Sequence, residues 1–214
     1  MKISFPYIKY TLAGLALSGA ILYPAKIKSN TQTAQTKIIS SPAKDTFTHS
    51  VPPQGTSDPE ILSKAPSPNV IIQGKLKKAK IVVDLSENIL YHYDNIGNTL
   101  KAYKIASGRK TGKDPTPTHT GVRSVSHIEY HDYKTAPPST KRFQNPDDYG
   151  PMIIILDILD TKTGETSQIG EFIHGNKNKN TLGQYVSGGC MRMDNEVIKY
   201  LAPQMKRGDI VIIK

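Results

Sequence analysis

The segment Met152 to Ile158 (MIIILDI) restricts the fold of this chain more than any other. It is almost continuously apolar and lacks the alternation of a half-buried strand, as expected of a strand buried on both faces. A chain built round such a strand must cover it from two sides, and the flanking sequence supplies the material. Lys80 to Leu85 (KIVVDL) and Ile89 to Tyr93 (ILYHY) are β-rich runs, and the turn Asp94-Asn95-Ile96-Gly97-Asn98 leads into a third over Thr99 to Ala106. Gly121 to Ile128 and Ile169 to Ile173 read as further strands, and Lys206-Arg207-Gly208 turns into a last one. One short helix is expected, capped by Asp194 or Asn195, carrying Val197, Ile198 and Leu201 on one face and limited by Pro203. The folded part is therefore mainly β.

The N-terminal third has a different composition. Lys2 and Lys9 precede an uncharged, mostly apolar run, Tyr10 to Tyr23, which has the layout of a secretory signal and is short for a membrane span. Small residues are poorly placed for cleavage, so residues 1–23 read as a signal peptide or an uncleaved signal anchor that would hold the chain to a membrane. Residues 24–75 are rich in Ser, Thr, Gln, Pro and Lys and read as a flexible linker, with Ile71-Ile72 packing at the start of the folded domain, 76–214. The expected location is outside the cytoplasm, in the periplasm or cell envelope.

The formal charge of +10 suits an anionic neighbour. No zinc-finger, homeodomain or RNA-recognition signature accompanies it and the lysines are scattered, so nucleic acid is not the expected partner. A membrane surface or cell-wall polymer fits the N-terminus better. The single cysteine excludes an intrachain disulfide, and a lone thiol sent to an oxidising compartment is a liability unless it has a task.

That cysteine, Cys190, ends the turn Ser187-Gly188-Gly189-Cys190, sixteen positions after His174 in Ile173-His174-Gly175. A thiolate is the nucleophilic form of cysteine, and a neighbouring imidazole can lower the thiol pKa or take its proton. Paired glycines let backbone N–H groups approach a substrate carbonyl, as an oxyanion hole requires.

The sequence from His174-Gly175 through Ser187-Gly188-Gly189-Cys190-Met191-Arg192-Met193 to Asn195 closely resembles the active-site signature of the L,D-transpeptidase (YkuD-like) catalytic domain. Thr116-Pro117-Thr118 with Gly121, and the closing Gly208-Asp209-Ile210-Val211-Ile212-Ile213, resemble other landmarks of that family, and the likeness extends over roughly 80–214. Two departures are visible. Gly188 stands where the family often has a histidine or lysine, and two residues are added between Thr116-Pro117 and Gly121.

The resemblance implies a β-sandwich catalytic domain with one short helix, a long loop insertion and no metal or other cofactor. It implies Cys190 as nucleophile, His174 as base, the Gly175 carbonyl as orienter of the imidazole, and the N–H groups of Gly189 and Cys190 as oxyanion donors. Ser187, Gly188, Arg192, Tyr149 and Met152 are the expected substrate-binding residues, with Ser187 fixing the turn and Arg192 either bracing the loop or holding a carboxylate.

The implied substrate is the peptidoglycan stem peptide: a tetrapeptide loses its terminal D-alanine, and a 3–3 cross-link forms through a thioester. An L,D-carboxypeptidase, an anchoring enzyme with a protein lysine as acceptor, and a non-catalytic cell-wall-binding module are the alternatives. Residues 110–150 read as a loop-rich lid or wall of the groove. Its His119, His127 and His131 match no zinc spacing and no acidic cluster, so each is expected to be solvated or packed.

Overall fold

The computed structural model describes residues 55–214. The signal or anchor expected over 1–23, and the linker up to residue 54, lie outside the described residues. From Gly55 the elements run α1 (Pro59–Ser63), β1 (Asn69–Ile72), β2 (Lys75–Lys78), β3 (Ile81–Asp84), β4 (Ile89–Tyr93), β5 (Thr99–Lys104), β6 (Ser107–Gly108) and β7 (Gly121–Tyr130). There follow α2 (Lys141–Gln144), β8 (Met152–Leu159), β9 (Thr166–Asn176), β10 (Tyr185–Ser187), β11 (Met191–Asp194), α3 (Asn195–Leu201) and β12 (Ile210–Ile213). Among the described residues no helix is long and apolar enough to cross a membrane.

Eight strands form one sheet in the order β11-β9-β8-β7-β12-β3-β4-β5. The C-terminal β12 lies inside it, antiparallel to β7 and parallel to β3, so the last residues of the chain are central to the fold. The sheet curls on itself. Ala106, just after β5, exchanges both backbone hydrogen bonds (2.8 Å each) with Arg192 in β11, the strand at the opposite edge. The parallel pair β6–β10 continues that seam. A single rolled sheet therefore stands where two stacked sheets were expected, and three short α-helices where one was.

Burial follows from the alternation of each strand. The inner face carries Ile81, Val83, Leu90, Met152, Ile154, Leu156, Ile173, Met191 and Met193, and is closed by Val197, Ile198 and Leu201 of α3. Asp194 caps that helix by accepting from Glu196 N–H at 2.8 Å, as its sequence suggests. On the outer face, Ile153 and Ile155 of β8 are covered by Tyr133 and Ala136, with Tyr149 and Phe172 packed beside them. This two-sided burial is the reason for the unbroken apolar run.

The linker expectation is corrected from residue 55 onward. Ile61, Leu62 and Ala65 pack on Val82, Tyr91 and Tyr93, Thr56 exchanges backbone bonds with Ala102, and Tyr93 Oη donates to Pro66 O. β1 and β2 form a hairpin whose tip is tied to the 160–164 turn through Gln73. The segment is sparse in apolar residues: Ile61, Leu62 and Ala65 go to the outer face of β3–β5 and Ile72 is buried, whereas Ile71 is exposed and does not pack as expected.

Candidate active site

Ile173 points into the core, so Phe172 and His174 face the other side of β9. β11 runs parallel to β9 with Arg192 opposite His174 and Met191 opposite Ile173. Cys190, one residue before Met191, thus reaches the level of Phe172, and lies diagonal to His174 on the adjacent strand. The strand expected to end at Ile173, with His174 just beyond it, instead runs on through Asn176, which fixes the backbone of His174 on both sides.

His174 is only 2% exposed, and its Nδ1 lies 2.8 Å from Gly175 O. A carbonyl oxygen only accepts, so Nδ1 carries the proton and Nε2 presents its lone pair. The Tyr149 ring packs 4.9 Å from the imidazole. Gly175 has no room for a side chain, since a Cβ there would meet Pro151 Cδ at 2.9 Å and Asn195 Oδ1 closer still.

The Ser187–Cys190 turn is closed by its own serine. Ser187 Oγ donates to Cys190 O (2.5 Å) and accepts from Gly189 N–H (3.1 Å). Gly189 adopts φ +115°, a conformation that disfavours side chains. Its N–H is committed within the turn, so of the two oxyanion donors expected, only Cys190 N–H is not used by Ser187. Gly188 is exposed, with nothing within 4 Å of a Cβ at that position. The turn is gripped from outside by Thr116, whose Oγ1 donates to Ser187 O (3.1 Å), and Thr118, whose Oγ1 donates to Gly189 O (2.7 Å). Gly108 makes this approach feasible, because a Cβ there would overlap the backbone of Thr116 and Thr118.

Burial sets the protonation states. It lowers the His174 pKa from its ordinary value to about 4, and the Arg192 charge adds to the effect. Burial also pushes the Cys190 thiol up, against smaller opposing effects of the Phe172 backbone and Arg192. Both groups are thereby favoured in their neutral forms, the thiol by its raised pKa and the imidazole by its lowered one. A thiolate already drawn well below neutrality by His174, the sequence expectation, is not what this environment favours.

Among the described residues Arg192 has neither an ion pair nor a side-chain hydrogen bond, and its Nε is buried without an acceptor. The bracing contact expected of it is absent among the described residues. Met152 is corrected: it faces the inner core with Ile154 and Leu156 and does not line the groove. The strand expected from Gly121 to Ile128 is the ten-residue β7, which crosses the middle of the 110–150 stretch within the sheet and divides it in two. Only its second part, with α2 and the 3₁₀ turn Pro146–Tyr149, covers the His174 face. It is fastened by Arg142 to Glu129 (2.6 Å), His131 to Asp147 (3.1 Å) and Lys177 to Asp148 (3.2 Å). His119, His127 and His131 are all exposed, and each lies beside a carboxylate, in three separate places.

The family model described as "L,D-transpeptidase catalytic domain" (YkuD) matches residues 78–213. The chain belongs to this family. Solved L,D-transpeptidase-family structures resemble it at low identity. A Cys-to-Ser mutant of the Enterococcus faecium L,D-transpeptidase is 22% identical with TM-score 0.44, covering 64% of this chain and 49% of that one. Bdellovibrio bacteriovorus Bd1075 is 21% identical with TM-score 0.47, covering 70% and 53%. The catalytic domain of the E. faecium enzyme is 20% identical with TM-score 0.42, covering 64% and 98%. The matched region thus spans about half of the two longer chains. No curated protein sequence matches the chain.

Sequence reasoning missed Thr118 and the buried pair Arg123–Glu171 (2.9 Å) behind it. The Thr116-Pro117-Thr118 landmark was the only signal pointing there; nothing local marks a threonine as the support of a turn seventy-one residues away.

Proposed function

We propose that this L,D-transpeptidase domain acts on peptidoglycan tetrapeptide stems through a Cys190 thioester and forms 3–3 cross-links. The observation that carries the reading is the parallel β9–β11 register, which brings Cys190 diagonal to His174 while Nδ1–H is held by Gly175 O. In this reading His174 Nε2 takes the thiol proton as Sγ attacks the carbonyl of the third stem residue, so thiolate forms only as the bond forms. Cys190 N–H faces the developing oxyanion. Collapse of the tetrahedral adduct breaks the amide bond, and His174 returns the proton to the departing D-alanine. The side-chain amine of a second stem then attacks the thioester, loses a proton to His174 and releases the Cys190 thiol.

Arg192, lacking an acidic partner, is assigned to a carboxylate of the stem, with Tyr149 and exposed Gly188 bordering the groove. Such a substrate places the protein in the cell envelope, in keeping with the apolar N-terminal run. The test is mass spectrometry of muropeptides after incubating the protein with tetrapeptide-rich peptidoglycan. Cross-linked dimers containing tripeptide donors are expected. Tripeptide monomers alone would make it a carboxypeptidase, and unchanged muropeptides a binding module.

A further inference from the structure

Behind the catalytic turn lies a chain of contacts that the reaction as written does not use. Glu171, 5% exposed, accepts from Arg123 Nε at 2.9 Å through Oε2 and from His119 N–H at 3.0 Å through Oε1. Arg123 Nη2 donates to His119 O at 3.0 Å. The buried ion pair therefore holds residue 119 by both its backbone groups. The preceding residue is Thr118, whose Oγ1 accepts from Gly108 N–H (2.9 Å) and donates to Gly189 O (2.7 Å).

The Gly189 carbonyl belongs to the same planar peptide unit as the Cys190 N–H. The described chain has no cis peptide bond, so that N–H points opposite to the carbonyl. Fixing one end of the unit fixes the other. Gly189 has the backbone freedom to let this peptide rotate, and its own N–H is tied only to Ser187.

We propose that Thr118 is a positioning residue for acyl transfer: its hydroxyl, held in place by the Arg123–Glu171 clamp on residue 119, locks the Gly189–Cys190 peptide so that Cys190 N–H is preorganised as the oxyanion donor. This rests on the transpeptidase reading above. The role is specific to reactions at a carbonyl. An alkylation of Cys190 develops no oxyanion and needs only an accessible thiol and His174.

The two reactions separate the role from plain structural support. With the full chain, the rate of acylation by a carbapenem and the rate of alkylation by iodoacetamide are measured for wild type, Thr118→Val and Thr118→Ser. Valine keeps the shape and removes the donor. It is expected to slow acylation by about ten- to a hundredfold, less than the roughly hundred- to thousandfold loss when an oxyanion donor is removed outright, while alkylation stays within about twofold. Serine is expected to restore acylation. Glu171→Gln, which weakens the clamp while keeping its size, is expected to show the same imbalance in milder form. Unchanged acylation in Thr118→Val overturns the proposal. So does equal loss of both reactions, which would mean that the turn had collapsed. A wild type that is alkylated but never acylated would instead sink the transpeptidase reading itself.

Discussion

Arg192 stands opposite His174 across the β9–β11 pair, and its positive charge helps hold the imidazole neutral. The same charge is unpaired among the described residues, and in the proposed function it takes a carboxylate of the stem. Arg192→Gln removes both influences. Because the cation lowers the His174 pKa, its loss lets that pKa rise, and the acid limb of kcat/KM should move to higher pH. KM for a stem peptide should rise several-fold at the same time. A variant with raised KM and an unmoved acid limb would separate the two roles.

Burial of neutral imidazoles predicts the direction of acid sensitivity. His174 and His92 are both lowered to about 4 from 6.5, chiefly by burial. The unfolded chain therefore binds more protons between those pH values, and stability falls as pH drops from about 6.5 towards 4. Each group contributes on the order of 3 kcal/mol at most to that loss. His92 Nδ1 is buried without a partner, so His92→Leu should cost little at pH 7 and flatten the decline of Tm below pH 6.5. An unaltered slope would remove His92 from this account.

Gly175→Ala should destabilise the fold by about 2 kcal/mol or more, since its new methyl would press on Pro151, Gly150 and Asn195 at once. The cost falls where the Gly175 carbonyl orients His174, so activity should drop further than the lost stability explains. Thermal melts with acylation rates measured well below Tm check both parts.

The position of the domain boundary is open to direct test. A chain starting at residue 76 lacks Ile61, Leu62, Ala65 and β1, and uncovers Val82, Tyr91 and Tyr93. It should melt at least several degrees below a chain starting at residue 55. Equal melting temperatures would show that the packed segment contributes nothing.

That boundary also shows what the sequence made legible. The Met152–Leu159 strand, the α3 cap and the Cys190–His174 pair are marked by contiguous patterns: an apolar run, a capping residue before spaced apolar positions, a dense motif. Residues 55–75 carry no such pattern. Their elements are four or five residues long, and they are held by contacts with strands that come later in the chain. Thr118 and Glu171 were invisible for the same reason. Met152 misled because a strand buried on both faces does not reveal by periodicity which face holds a groove.

The central claim is that Cys190 Sγ carries the acyl group, and intact-protein mass spectrometry after exposure to a carbapenem addresses it most directly. The wild type should gain one adduct, and Cys190→Ser and Cys190→Ala none, because a serine hydroxyl is far less acidic than a thiol and His174, held near pKa 4, is a weak base for it. An adduct that persists without Cys190 would contradict the account.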